Sequence, residues 1–279
     1  VSTIAGMNGL QMWFDASDLD GDGQSDNLAD NSGVNLWVDK SGNNRRFDDV
    51  IGDPNLVVSS THGMPAVAFD GNDALRTNNN DNPRNFINAA GEFTLITVAR
   101  YSGADRERVI AAKSGHNWLA GFHGNIVNRW HYDGWGSLDV GGAQTNNLDW
   151  HIHENLQNVF GDANNPAGDF YLDGKLLTDN GRGTGDGRNN NVPDGLSLGA
   201  WNGLGESSTS EVSEVIMFDR VITEDERLAV ESYLAVKYDL DVEGGLPTSP
   251  ADNSLMKMGS GTLRIAGRTF YNGDTTVMA

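Results

Sequence analysis

Short alternating or wholly apolar runs, bounded by Gly, Asn or Asp, recur along this chain. They predict strands over 10–14, 36–38, 55–58, 66–69, 94–99, 108–112, 118–122, 157–160, 169–172, 175–177, 196–200 and 211–218. Tyr171-Leu172-Asp173-Gly174-Lys175-Leu176 sets Asp-Gly between two apolar runs, which suits a type I′ hairpin turn. So many strands without intervening helices argue for an all-β, antiparallel sandwich and against a parallel α/β sheet. One helix breaks the pattern. Thr223-Glu224-Asp225-Glu226 has capping-box form, with Thr223 as N-cap and Glu226 reaching back. Val230, Tyr233, Leu234 and Tyr238 then repeat at helical spacing and would pack on the sandwich, while Lys237 suits the negative end of the helix dipole.

Organisation changes after that helix. Residues 1–240 form one domain by this pattern; 241–251 (DVEGGLPTSPA) reads as a linker, and 252–279 as short strands split by glycine turns. That last stretch is too short for a core of its own, so it either docks or begins a stack of similar rungs. The chain opens on Val1 and not on Met, without a charged-then-apolar leader, which points to processing or excision from something longer.

Composition sharpens the picture. Gly is 35 of 279 residues, about 13% against a usual ~7%, and Asp outnumbers Glu by nearly three to one. These are turn residues that tolerate positive φ or bond their own backbone. The formal charge of −20 opposes any phosphate backbone, so no nucleic-acid partner is expected, and no apolar run long enough for membrane insertion occurs. Zero cysteines remove disulfides, thiolate nucleophiles and thiolate zinc sites together.

The sharpest motif is Asp18-Leu19-Asp20-Gly21-Asp22-Gly23-Gln24-Ser25-Asp26. Carboxylates at loop positions 1, 3, 5 and 9, with Gly at 6, match the first part of an EF-type calcium loop. Asp18, Asp20, Asp22 and Asp26 would turn inward around a hard cation, and Gln24 would offer its backbone carbonyl. The twelfth position is Ala29 instead of Glu, so closure would fall to Asp30 or a distant ligand. The bland alternative is a solvated acidic turn, in which so many carboxylates would repel one another.

Aromatic and polar residues gather further along: five of the six histidines and four of the seven tryptophans lie between 116 and 153. Sugar rings stack on aromatic faces while polar groups bond their hydroxyls. Trp130, Tyr132, Asp133 and Trp135 are the candidate glycan contacts, although the same tryptophans serve equally well as sandwich core. Alternation would put Trp130 and Tyr132 on one face, His131 and Asp133 on the other. His151 and His153 share a strand face and could hold a metal, but the sequence places no further ligand beside them. A glucanase-type run of alternating carboxylates is broken in Glu211-Val212-Ser213-Glu214, where Ser213 replaces Asp and the two glutamates are expected on opposite faces.

Leu10–Ser17, Trp37–Asn43, Pro65–Gly71, Phe170–Lys175 and Glu211–Arg220 with Tyr233–Tyr238 together resemble the bacterial laminin-G-like domains of the concanavalin A-like lectin/glucanase superfamily. The resemblance spans about residues 8–240. It implies a jelly-roll of two antiparallel sheets with ligand sites on the concave face or loop rim, often with calcium, and no fixed catalytic residues. Gly259-Ser260-Gly261-Thr262-Leu263 with Tyr271-Asn272-Gly273-Asp274-Thr275-Thr276-Val277 resembles the autotransporter-associated β-strand repeat, a rung of a β-helix. The expectation is therefore a secreted or cell-surface bacterial module, monomeric in isolation, that binds Ca2+ and recognises a polysaccharide, a cell-surface glycan or a surface partner. Competing readings are a polysaccharide hydrolase or lyase using His131, His153 or Glu154, and a spacer or adhesion domain with no small ligand.

Overall fold

The computed structural model describes residues 2–82, 91–132, 135–137, 144–158, 168–177, 193–243, 255–257 and 275–277. In chain order the strands are β1 (Leu10–Asp15), β2 (Trp37–Val38), β3 (Arg46–Ile51), β4 (Asn55–Thr61), β5 (Met64–Asp70), β6 (Ala74–Thr77), β7 (Glu92–Arg106), β8 (Ile110–Ala112) and β9 (Trp118–Ala120). They continue as β10 (Arg129–Tyr132), β11 (Trp135–Ser137), β12 (His151–Asn158), β13 (Gly168–Leu172), β14 (Lys175–Leu177), β15 (Leu196–Leu198) and β16 (Ser208–Phe218). A short α1 (Ser2–Ala5) precedes them and α2 (Glu224–Tyr238) follows.

Two eight-stranded antiparallel sheets result, an all-β sandwich as expected. The first runs β14-β13-β12-β7-β16-β5-β4, with β1 also paired to β16; the second runs β11-β10-β9-β8-β15-β6-β3-β2. Between them Phe14 of the first sheet meets Phe47 of the second with ring centroids 4.4 Å apart, and Trp37 packs edge-on to Phe14 at 5.8 Å. Each such buried ring contributes about 1.5–3 kcal/mol, which is why this layer holds the fold.

A second apolar layer lies outside the first sheet. Ile96, Val98, Ile152, Leu156, Ile216 and Phe218 cover that face, and Val230, Leu234 and Tyr238 of α2 seal it. The helix starts where its sequence says: Thr223 accepts from the Glu226 backbone and Glu226 caps Thr223 in return. It ends on Asp239 in the left-handed region, φ 52°. Beyond it, the carbonyl of Tyr238 accepts from His62 Nδ1 at 2.7 Å and from Thr61 Oγ1 at 3.4 Å, and Glu243 N–H donates to Asp173 O.

The Asp173-Gly174 hairpin turn forms with both φ values positive, 50° and 76°, as type I′ requires. Strands β3, β6, β10 and β11 join the expected set, and the strand expected over 157–160 begins at His151 and is described to Asn158, residues 159–160 lying outside the described residues. One face assignment is corrected. The pairing of β16 with β7 slips between Val212 and Glu214, a bulge that adds one residue at Ser213. Glu211 and Glu214 therefore share the outer face of the first sheet, where Glu211 meets Arg100 and Glu214 meets Lys237. Leu255–Lys257 and Thr275–Val277 form β17 and β18, a parallel pair in which Leu255 stands opposite Thr275. The linker residues 244–251 and the Gly259–Leu263 and Tyr271–Asp274 parts of the repeat lie outside the described residues.

Candidate functional site

The acidic loop leaves β1 and folds back over the β2 segment. Asp26 N–H donates to Ser17 O and Val38 N–H to Leu19 O, closing the loop at its base. Inside it, Asp20 accepts from Asp22 N–H at 3.2 Å and Asp22 from Gln24 N–H at 2.7 Å, two Asx turns in succession. Gly23 takes φ 86°, a conformation that side chains other than Gly resist. Asp18, Asp20 and Asp22 converge, each with a carboxylate oxygen within 4.8 Å of the others.

Asp18 is the unusual member. It is 3% exposed; one oxygen accepts from Gly23 N–H at 3.0 Å, and its Oδ1 has no partner. Burial pushes this carboxyl above its ordinary value, Gly23 N–H and Lys40 oppose the rise, and Asp15 and Asp22 add to it. A buried oxygen that lacks a donor and faces like charges fits a hard cation, which supplies the missing partner. The other expected ligands stand apart from this group. Asp26 Oδ2 accepts from Leu19 N–H at 2.6 Å, and Asp30 accepts from Val58 N–H; Gln24, whose expected contribution is its backbone carbonyl, is an exposed residue of the turn.

The aromatic cluster divides. Trp130 is fully buried, packed on Phe170 at 5.0 Å and on His153 at 6.0 Å, so no ring face is left for a sugar; the expected glycan contact there is corrected to core. In the backbone register His131 stands opposite Trp135 and Trp130 opposite Gly136. Tyr132 ends β10 and Trp135 begins β11, at the edge of the second sheet; Asp133 lies outside the described residues.

The groups named for an enzyme are closed off. His153 is 1% exposed, held to the carbonyl of Val127 at 2.7 Å, and burial together with His151 lowers it to about 4. Glu154 is fully buried under α2, where its Oε2 accepts from Arg227 Nη1 at 2.7 Å; the same guanidinium nitrogen serves Glu231. Burial raises the Glu154 carboxyl, Arg227 counters it, and Glu231 reinforces the rise. His131 is 8% exposed, with Nδ1 against the carbonyl of Asn117.

Sequence reasoning missed the charged layer beside the loop. Lys237 Nζ bridges Asp15 at 2.6 Å and Glu214 at 2.7 Å, Lys40 also pairs with Asp15, and Trp13 Nε1 and Tyr238 Oη donate to Glu214. Its residues lie on four separate segments, so no local spacing announces it.

No family model and no curated protein sequence matches the chain. Among solved structures it is similar to the binding domain of botulinum neurotoxin serotype D, at 12% identity and TM-score 0.52 over 84% of this chain and 53% of that one. It is also similar to domain 4 of AbnA, a GH43 extracellular arabinanase from Geobacillus stearothermophilus solved with arabinotriose (13% identity, TM-score 0.48, 78% of this chain, 95% of that one). Trypanosoma rangeli sialidase gives 14% identity and TM-score 0.44 over 80% of this chain; the chain spans about a third of that enzyme's length, 32%. At 12% identity the likeness to the serotype D binding domain is one of fold, and a fold hosts many functions. Among the described residues no helix is long and apolar enough to cross a membrane.

Proposed function

We propose that this chain is a calcium-ordered recognition module of an exported bacterial protein, binding carbohydrate or a surface partner. The observation that carries the calcium part is the unpartnered, buried Oδ1 of Asp18 within reach of Asp20 and Asp22. These three carboxylates would supply the first ligands, with the Gln24 carbonyl and water completing a shell of six to eight oxygens. Asp26 contributes by bracing Leu19 N–H. For the glycan, the remaining candidates are Tyr132, Asp133 and Trp135, Trp130 being a core residue. The laminin-G-like reading is supported by the two-sheet architecture and the closing helix. The repeat reading is supported by the parallel pairing of β17 with β18, since successive passes of a β-helix pair in parallel.

The experiment is a pair of melts, in millimolar calcium and in chelator, followed by a polysaccharide panel in calcium. A higher melting temperature in calcium and retention on at least one polysaccharide are expected. Identical melts would remove the calcium reading, and an empty panel would remove the carbohydrate reading and leave a surface partner or a spacer.

A further inference from the structure

Strand β12 is built inside out. Ile152 and Leu156, with Glu154 between them, face α2, while His151, His153, Asn155 and Gln157 point between the two sheets. A row of polar side chains in a sandwich interior costs free energy at every group left without a partner. Gln157 is met by Trp118 Nε1 at 3.2 Å. The two imidazoles are satisfied on one side only.

His151 Nδ1 lies 2.7 Å from Asp173 Oδ2, an acceptor that keeps the proton on Nδ1 and leaves Nε2 as a lone pair. His153 Nε2 lies 2.7 Å from the carbonyl of Val127, which keeps its proton on Nε2 and leaves Nδ1 as a lone pair. Neither free nitrogen has a partner, and the residues are 5% and 1% exposed. Asn155 Oδ1, further along the same face, and Thr97 Oγ1, directly across from His153, are also unmet.

A carboxylate or backbone carbonyl on one imidazole nitrogen, with the other left open, is the arrangement that aims histidine at a metal. Two imidazoles bound to one tetrahedral ion, with nitrogens about 2.0–2.1 Å from it, have ring centroids about 5 Å apart. Here the centroids are 5.9 Å apart with planes at 69°. Gly121 makes room for the His153 ring itself: a Cβ there would stand 2.6 Å from His153 Cδ2.

We infer that His151 Nε2 and His153 Nδ1 form a second metal site, separate from the acidic loop and selective for a d-block divalent ion such as Cu2+, Ni2+ or Zn2+. Imidazole nitrogen suits these ions, whereas calcium takes oxygen. Asn155 Oδ1, two residues along the strand, and Thr97 Oγ1, across from His153, are the unmet oxygens on this face. Asp173 is a positioning residue, holding the His151 ring.

The test uses the tag-free full chain in millimolar calcium, titrated with Cu2+ and followed by electron paramagnetic resonance. One equivalent with superhyperfine coupling to two nitrogens is expected. Asp173→Asn should weaken Cu2+ binding roughly 10- to 100-fold, His151→Gln and His153→Gln should weaken it further, and Asp18→Asn should leave it unchanged. Coupling to fewer than two nitrogens in the wild-type protein overturns the site whether or not the histidine variants fold. So does Cu2+ binding that survives both histidine changes in folded protein.

Discussion

Asp15 and Asp18 stand three residues apart, linked by Asp18 N–H donating to Asp15 O at 2.9 Å, and the fold treats their carboxylates in opposite ways. Burial raises Asp15, but Lys237 and then Lys40 outweigh it and bring it down to about 2. Asp18 is also buried, has Lys40 only at a distance as a weak counterweight, and moves up. The first cluster carries its own cations because it must hold α2 to the sheet. The second collects three carboxylates and leaves one oxygen open. Charge completed from within builds the scaffold; charge left incomplete marks where an outside ion belongs.

The largest break in this contrast comes from Lys237→Met. It takes from Glu214 the Lys237 cation and leaves Asp15 with Lys40 alone, and should cost about 3–5 kcal/mol in chemical denaturation, while the calcium-induced gain survives. A loss under about 1 kcal/mol would mean that the internal pairing is not what fixes the helix. Next is Asp18→Asn. Wild-type protein should gain about 2.7 kcal/mol at a calcium concentration a hundred times Kd, and the variant should gain nothing in the same calorimetric scans. In chelator the variant should melt no lower than wild type, since the buried charge with its unmet Oδ1 is removed while the amide oxygen can still accept from Gly23 N–H.

Acid sharpens the other half. Asp15 titrates at about 2 when folded against 3.8 for the free group. Its stabilisation is therefore full above about pH 4 and is lost as pH falls toward 2, a change of about 2 kcal/mol. Denaturation curves across that window should show the loss in wild type and a flatter limb in Lys237→Met. The smallest effect belongs to Lys40→Met. Removing a cation near Asp18 should tighten calcium on the order of threefold, read by isothermal titration; weaker binding would show that Lys40 shapes the loop through more than charge.

What the sequence disclosed follows from how local each signal is. The α2 capping box is complete within Thr223–Glu226, and the calcium spacing within Asp18–Asp26, so both could be located from residue order alone. The convergence of Asp18, Asp20 and Asp22 followed the spacing, whereas Asp26 turned to Leu19 N–H because that donor lay closer to hand. Side-chain alternation failed at β16 because one bulge, set by pairing with a distant strand, reversed the faces beyond Ser213. It failed at β12 because both faces are covered and the polar one looks inward, so the run HIHENLQN lacks the usual apolar stripe. Ile152 and Leu156, spaced to meet α2, were the remaining signal. Trp130 belongs to the core for a reason that composition cannot hold: the facing residue is Phe170, forty positions away in the chain.

The clasp at the end of α2 has a mechanical meaning. Tyr238 O is gripped by His62 and Thr61 at the β4–β5 corner, and Glu243 N–H is tied to Asp173 O in the opposite hairpin. Tension entering beyond residue 243 meets those two anchor points before it can unwind the helix. The load divides between two remote corners of one sheet, so the closing helix behaves under pull as a riveted strap and not as a zip.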